Sequence, residues 1–155
     1  MTRHADWNTQ PEVTQLTEEE RHHYLELQKR VGWRRTGKEI FESFFSLVPM
    51  VPCELAVVRK INNVDHVLLW HRTDEYYVGW HMPGGYLLRG ESDWEWCQRV
   101  LEKETGLILK RLRFVRRFNT RPETGWVPNH EMAHFFLCTV EGKQTQGQFF
   151  PLTNI

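Results

Sequence analysis

The chain has 155 residues with 20 basic and 20 acidic side chains, a length suited to one domain with one core and a charge balance that singles out neither a nucleic-acid scaffold nor an anionic membrane surface as the main partner. The three cysteines, Cys53, Cys97 and Cys138, are odd in number and set among apolar residues, which argues against a disulfide framework or a zinc site and predicts buried, reduced thiols. No stretch reaches the roughly 20 apolar residues of a membrane span, and Met1-Thr2-Arg3-His4 opens no signal-like run, so a cytoplasmic protein is expected.

Residues 1 to 16 are polar and without period, the pattern of a loose arm. Thr17 and Glu20 have the spacing of a capping box, in which each side chain satisfies an orphan amide of the first helical turn. A helix is predicted from there, with Tyr24, Leu25, Leu27 and Val31 as its apolar stripe. A second helical segment over residues 38 to 47 presents Ile40, Phe41, Phe44 and Phe45, and Pro49 and Pro52 end it. Residues 55 to 58 and 67 to 70 are apolar runs joined across Asn62-Asn63, the pattern of a hairpin. Residues 77 to 81 form a further strand leading into the Gly84-Gly85 turn. Ser92 and Glu95 make a second capping box at the head of a helix over residues 92 to 105. Gly106 suits the left-handed position that ends it. Residues 107 to 118, 131 to 140 and 148 to 152 are predicted strands, with a loop over residues 119 to 130. No internal repeat is present.

Gly85, Glu91, Arg99, Leu101, Glu104, Gly106 and Leu107 stand in the frame of the Nudix box, preceded by Trp80-His81-Met82-Pro83-Gly84-Gly85. Over residues 52 to 152 the chain resembles the Nudix hydrolase superfamily. The resemblance implies an α+β fold, a Nudix-type α/β/α sandwich with a mixed central sheet and the box helix after the Gly-Gly turn. It divides the chain into an arm (1–16), an N-terminal helical segment (17–50) and the Nudix domain (51–155), one globular domain overall.

Val100 and Lys103 stand where the family usually has carboxylates. At about 100° per residue, positions 100, 103 and 104 share one helix face, where three carboxylates would hold hard divalent cations through oxygen. Here that face carries Val100, Lys103 and Glu104. Glu102 points away, and Lys103 opposes a cluster of cations, so one cation or none is expected. Trp94, Cys97 and Leu101 fall on the opposite side from Lys103 and are expected in the core.

The pattern of kept and lost carboxylates resembles the GDP-mannose mannosyl hydrolase subgroup. That resemblance implies Mg²⁺ (or Mn²⁺) held by the Gly84 carbonyl and Glu104. It implies substrate contacts from Arg72, Gly85, Tyr86 and Lys103, and catalytic roles among Arg72, Glu91, Arg99 and His134. Glu91 otherwise complements the helix N-terminus, and Arg99 reads more naturally as the partner of a carboxylate than as a phosphate ligand. The stretch 144 to 150 lacks the subgroup's late histidine, which leaves His130 or Glu131 as the base.

Three activities are compatible with these residues. The leading one is a Mg²⁺-dependent hydrolase of a nucleoside-diphosphate-linked small molecule, a nucleotide sugar such as GDP-mannose. The second is a catalytically silent Nudix domain that binds nucleotides or a protein partner, and the third is an ordinary pyrophosphohydrolase. Neither a membrane nor a nucleic-acid partner is expected, and the N-terminal aromatics offer a homodimer face.

Overall fold

The computed structural model describes residues 16–31, 37–46, 48–74, 77–120 and 130–152. The expected arm short of Leu16, Leu47, the Val31 side chain and loop residues 121–129 lie outside the described residues. The chain forms two compact units, Met1–Gly37 and Lys38–Ile155.

The first unit holds α1 (Glu18–Val31). Its capping box is formed: the Glu20 carboxylate accepts from the Thr17 amide at 2.8 Å, and the Thr17 hydroxyl accepts from the Glu20 amide at 3.2 Å. Tyr24, Leu25 and Leu27 are all exposed. No helix among the described residues is long and apolar enough to cross a membrane.

The second unit opens with α2 (Lys38–Ser43), which runs into a 3₁₀ turn at Phe44–Ser46. The strands β1 (Pro52–Ile61), β2 (Val64–Thr73), β3 (Val78–His81) and β4 (Gly84–Tyr86) precede α3 (Asp93–Thr105). Then come β5 (Ile108–Thr120), β6 (Glu131–Glu141) and β7 (Gln148–Pro151). The sheet is mixed, in the order β3-β2-β1-β6-β5, with β4 pairing β1 and β7 pairing β2. Only β1 and β6 run parallel among the paired strands; the others are antiparallel. Asn62 and Asn63 take positive φ in the β1–β2 turn, a conformation asparagine tolerates because its amide can bond locally.

Alternation along β1 sends Cys53, Leu55 and Val57 to one face, where they are fully buried against Trp96, Cys97, Val100 and Leu101 of α3. All three cysteines are buried free thiols. Two helix positions depart from expectation. Trp94 is 45% exposed while Trp96 is fully buried. Packing against Cys53 and Leu55 sets the rotation of the helix: Trp96, Cys97, Val100 and Leu101 share the buried face, from which Trp94 points away. Val100, expected on the ligand face, is part of the core. On the opposite sheet face Phe41 and Phe45 pack against Tyr86, with ring centroids 5.5 and 5.8 Å away. The fold is therefore the mixed α+β class expected.

Candidate active site

The site begins with a close approach of backbone. The antiparallel return of β4 sets Gly84 opposite Glu54. A Cβ on Gly84 would lie 2.7 Å from the Cys53 carbonyl oxygen and 3.3 Å from Glu54 Oε2, so only glycine fits without displacement. The Gly84 amide donates to Glu104 Oε2 at 3.0 Å. Glu104 continues the core face of α3 one turn beyond Val100, which is why the helix delivers this carboxylate, and not Lys103, to the turn. Next door the Trp96 indole donates to the Gly85 carbonyl at 2.9 Å. A Cβ on Gly85 would stand 3.1 Å from Val100 Cγ2. Val100 thus fills with hydrocarbon the space beneath the turn.

Three carboxylates interact around Gly84. Burial, then the charges of Glu131 and Glu104, push Glu54 up to about 8, opposed by Arg72. Its Oε2 is buried without a hydrogen-bond partner. Burial also raises Glu104, against the Gly84 amide, Lys103, Arg72 and Arg99. Glu131 is raised by burial and accepts from the Tyr86 hydroxyl at 2.9 Å. Arg72 is held by Asp74 at 2.7 Å and contributes the positive field felt by both Glu54 and Glu104. His81 Nδ1 donates to the Met82 carbonyl and Nε2 stands 3.7 Å from Glu54 Oε1. Burial lowers its pKa, so His81 faces a protonated Glu54 as a neutral ring at neutral pH.

A second pair lies beneath the turn. Glu91 accepts from Arg99 Nε and Nη2, and the same Nη2 donates to the Tyr86 carbonyl at 2.9 Å. The Leu88 amide also donates to Glu91 at 2.9 Å. The Arg99 hydrogen bond holds Glu91 below the usual carboxylate range. This bidentate clasp fixes the segment between β4 and α3.

The structure brings Arg72, Gly84, Tyr86 and Glu104 into one region. Gly85 lies beside it with its carbonyl occupied by Trp96. Lys103 is exposed on the outer side of α3. His134 packs among Trp96, Phe114 and Phe136, with centroids 5.8, 5.6 and 6.2 Å away. It pairs with Cys53 on the α3 face, a partly buried ring packed among aromatics. His130 bonds to Asn119 Oδ1 at 2.8 Å. Sequence reasoning missed Glu54 and His81 as members of the cluster. The available signal was Glu54 itself, a lone carboxylate in the otherwise apolar run 51 to 58.

The oxygen donors suit a hard cation chemically: a buried, unsatisfied Glu54 oxygen aimed at Gly84 stands beside Glu104. Among the described residues no three His, Cys, Asp or Glu side chains are grouped closely enough to hold a metal by themselves. Main-chain carbonyl or substrate oxygens would have to complete the shell.

A family model described as the NUDIX domain matches residues 54–153. The chain belongs to the NUDIX domain family. Two helix positions where the family usually has carboxylates carry Val100 and Lys103 in this chain. Solved structures of similar fold include the MutT NUDIX hydrolase from Burkholderia pseudomallei, at 23% identity and TM-score 0.59 over 68% of this chain and 85% of that one. The NUDIX domain of Shewanella oneidensis NrtR, complexed with ADP ribose, matches at 13% identity and TM-score 0.58 over 77% and 86%. The C. elegans Ap4A hydrolase matches at 15% identity and TM-score 0.54 over 69% and 83%. No curated protein sequence matches the chain.

Proposed function

We propose that this Nudix domain hydrolyses a nucleoside-diphosphate-linked small molecule, most specifically a nucleotide sugar such as GDP-mannose, at the Gly84 turn and with Mg²⁺. The observation that carries the reading is the convergence of Glu54 and Glu104 on Gly84, with Arg72 held beside them by Asp74. Two solved neighbours are described with nucleotide-derived compounds, ADP ribose bound to one and Ap4A in the name of the other, which supports the substrate class and no particular member of it.

Glu104, Glu54 and the Gly84 carbonyl are the groups that would hold the cation. When bound, a divalent cation neutralises diphosphate charge and lowers the pKa of a coordinated water. Arg72, fixed in orientation by Asp74, pairs with a phosphate oxygen as a pre-positioned guanidinium. Glu131 is the remaining carboxylate of the cluster and is in hydrogen-bond contact with Tyr86. Of the two candidate bases it is the one coupled to Glu54, so general-base duty is assigned to it.

Incubation with a panel of nucleoside-diphosphate sugars and Mg²⁺, followed by ³¹P NMR, tests the reading. Nucleoside diphosphate and free sugar are the expected products, and nucleoside monophosphate would assign cleavage between the phosphates instead. Absence of turnover, with wild type matching Glu104→Gln, sinks the hydrolase reading.

The burial of Val100 and the positive charge of Lys103 favour a second reading, a domain that binds nucleotide without cleaving it. Calorimetric binding that ignores Mg²⁺, with no product formed, is its signature.

A further inference from the structure

We infer that the outer strand β5 is a binding site for a single-stranded polynucleotide, separate from the hydrolytic centre. β5 reads ILKRLRFVRRFNT over 13 residues. It contains Lys110, Arg111, Arg113, Arg116 and Arg117 and no acidic residue, in a chain whose total charges cancel. The balance of the whole conceals a concentrated positive strip at one edge of the sheet.

The strip is ordered by the strand. Arg111, Arg113 and Arg116 pair with Thr139, Leu137 and Phe135 of β6. Paired residues share a sheet face, so these three arginines project from the face opposite α3. An unbroken alternation would carry the series from 113 to Val115. The irregularity between Phe114 and Arg116 inserts one residue and moves Arg116 onto the arginine face. Successive side chains on one face of a strand stand about 7 Å apart, comparable to neighbouring phosphates of an extended single strand.

Lys110 is neutralised by Glu141 at 2.9 Å. Among the described residues no carboxylate lies within ion-pair distance of Arg111, Arg113, Arg116 or Arg117. These guanidinium groups are exposed. Arg116 lies 4.1 Å over the Phe118 ring, and Phe118 meets Phe135 edge-on at 6.1 Å. Phe118 remains 37% exposed. Three arginines followed on the same face by a partly exposed aromatic ring give phosphate contacts plus a site where a base can stack, the combination that binds single-stranded nucleic acid with little regard to sequence. Protection of a sheet edge from aggregation commonly uses charged side chains, especially lysine. It does not account for three arginines on one face, nor for an aromatic ring stacked beneath one of them.

The strip also leads toward the carboxylate cluster. Arg116 pairs with Phe135, and Phe135 pairs with Glu54, on one sheet face. A bound strand would lie two sheet spacings, about 10 Å, from Glu54. Binding itself requires no turnover, so its test stands apart from the hydrolase reading.

Fluorescence anisotropy with labelled 12-mers of oligo-U and oligo-dT tests the site. Three phosphate contacts predict a log–log salt slope near −2, or about a hundredfold weakening per tenfold rise in salt. Arg111→Ala/Arg113→Ala/Arg116→Ala, verified as folded by its thermal melt, is expected to lose at least about tenfold in affinity and most of the salt slope. The matching lysine triple keeps the slope. Phe118→Ala weakens oligonucleotide binding but leaves inorganic polyphosphate unaffected. Absence of oligonucleotide binding at about 50 mM salt overturns the inference, as does binding unchanged in the alanine triple. So does equal or tighter binding of polyphosphate, poly-glutamate or anionic vesicles of matched charge.

Discussion

Glu54 sits opposite Gly84 with one oxygen buried and unpaired, and its environment makes it a pH-dependent liability for the fold. Its folded pKa of about 8 lies above the ordinary value of 4.5. The unfolded chain therefore releases this proton first, and the contribution of Glu54 to stability falls as pH rises from about 4.5 to 8. Glu54→Gln is expected to remove that decline, so thermal melts of variant and wild type should converge at pH 5 and separate at pH 8, with the variant higher. Equal separation at both values contradicts the assignment. At Glu104 the neutral amide still accepts the Gly84 N–H, so Glu104→Gln should fold normally and lose about a hundredfold or more in kcat. The Glu91 clasp on Arg99 ties down the segment between β4 and α3: Arg99→Ala leaves a partly buried carboxylate unpaired and is expected to cost about 2 kcal/mol in denaturant unfolding. A loss below about 0.5 kcal/mol would show the clasp to be replaceable by water.

At the scale of the element, α3 decides which side chains reach the turn. The face that holds Trp96, Cys97, Val100 and Leu101 in the core ends at Glu104. Restoring the lost box carboxylates should therefore have opposite consequences at the two positions. Val100→Glu buries a charge against Gly85 and is expected to destabilise by about 3 kcal/mol or more with no gain in activity. Lys103→Glu lies on the exposed side, leaves the melt nearly unchanged and tightens Mg²⁺ binding. Calorimetric Mg²⁺ titration of both variants, with their melts, reads the contrast.

The helix itself was legible in the sequence because its signals are local: Ser92 and Glu95 at the start, Gly106 at the end with φ of 71°. Its rotation was harder to read. Two tryptophans two residues apart offer competing apolar faces, and only packing against Cys53 and Leu55 selects Trp96. Glu54 showed in the sequence only as a lone carboxylate in an apolar run, and its role was hidden for a related reason. Its role arises from strand pairing with β4 and from the approach of Glu131 across β6, both long-range contacts that local sequence does not encode.

At the scale of the whole molecule, the sheet puts two chemically different regions on one framework. The turn end gathers carboxylates and Arg72, and the far edge lines up arginines along β5. Strand periodicity announced β5 and β6, but the register that aligns Arg116, Phe135 and Glu54 depends on the β5 irregularity and on the parallel β1–β6 pairing. The family follows from the box residues and the domain match together. The most direct test of the central claim, that Gly84 and Glu104 cradle a diphosphate, is a crystal structure with Mg²⁺ and a nucleoside-diphosphate sugar. The expected result is a cation bound to Glu104 and the diphosphate between the Gly84 turn and Arg72. A diphosphate bound elsewhere on the domain, with Glu104 still bonded to the Gly84 amide and no cation beside it, would contradict it.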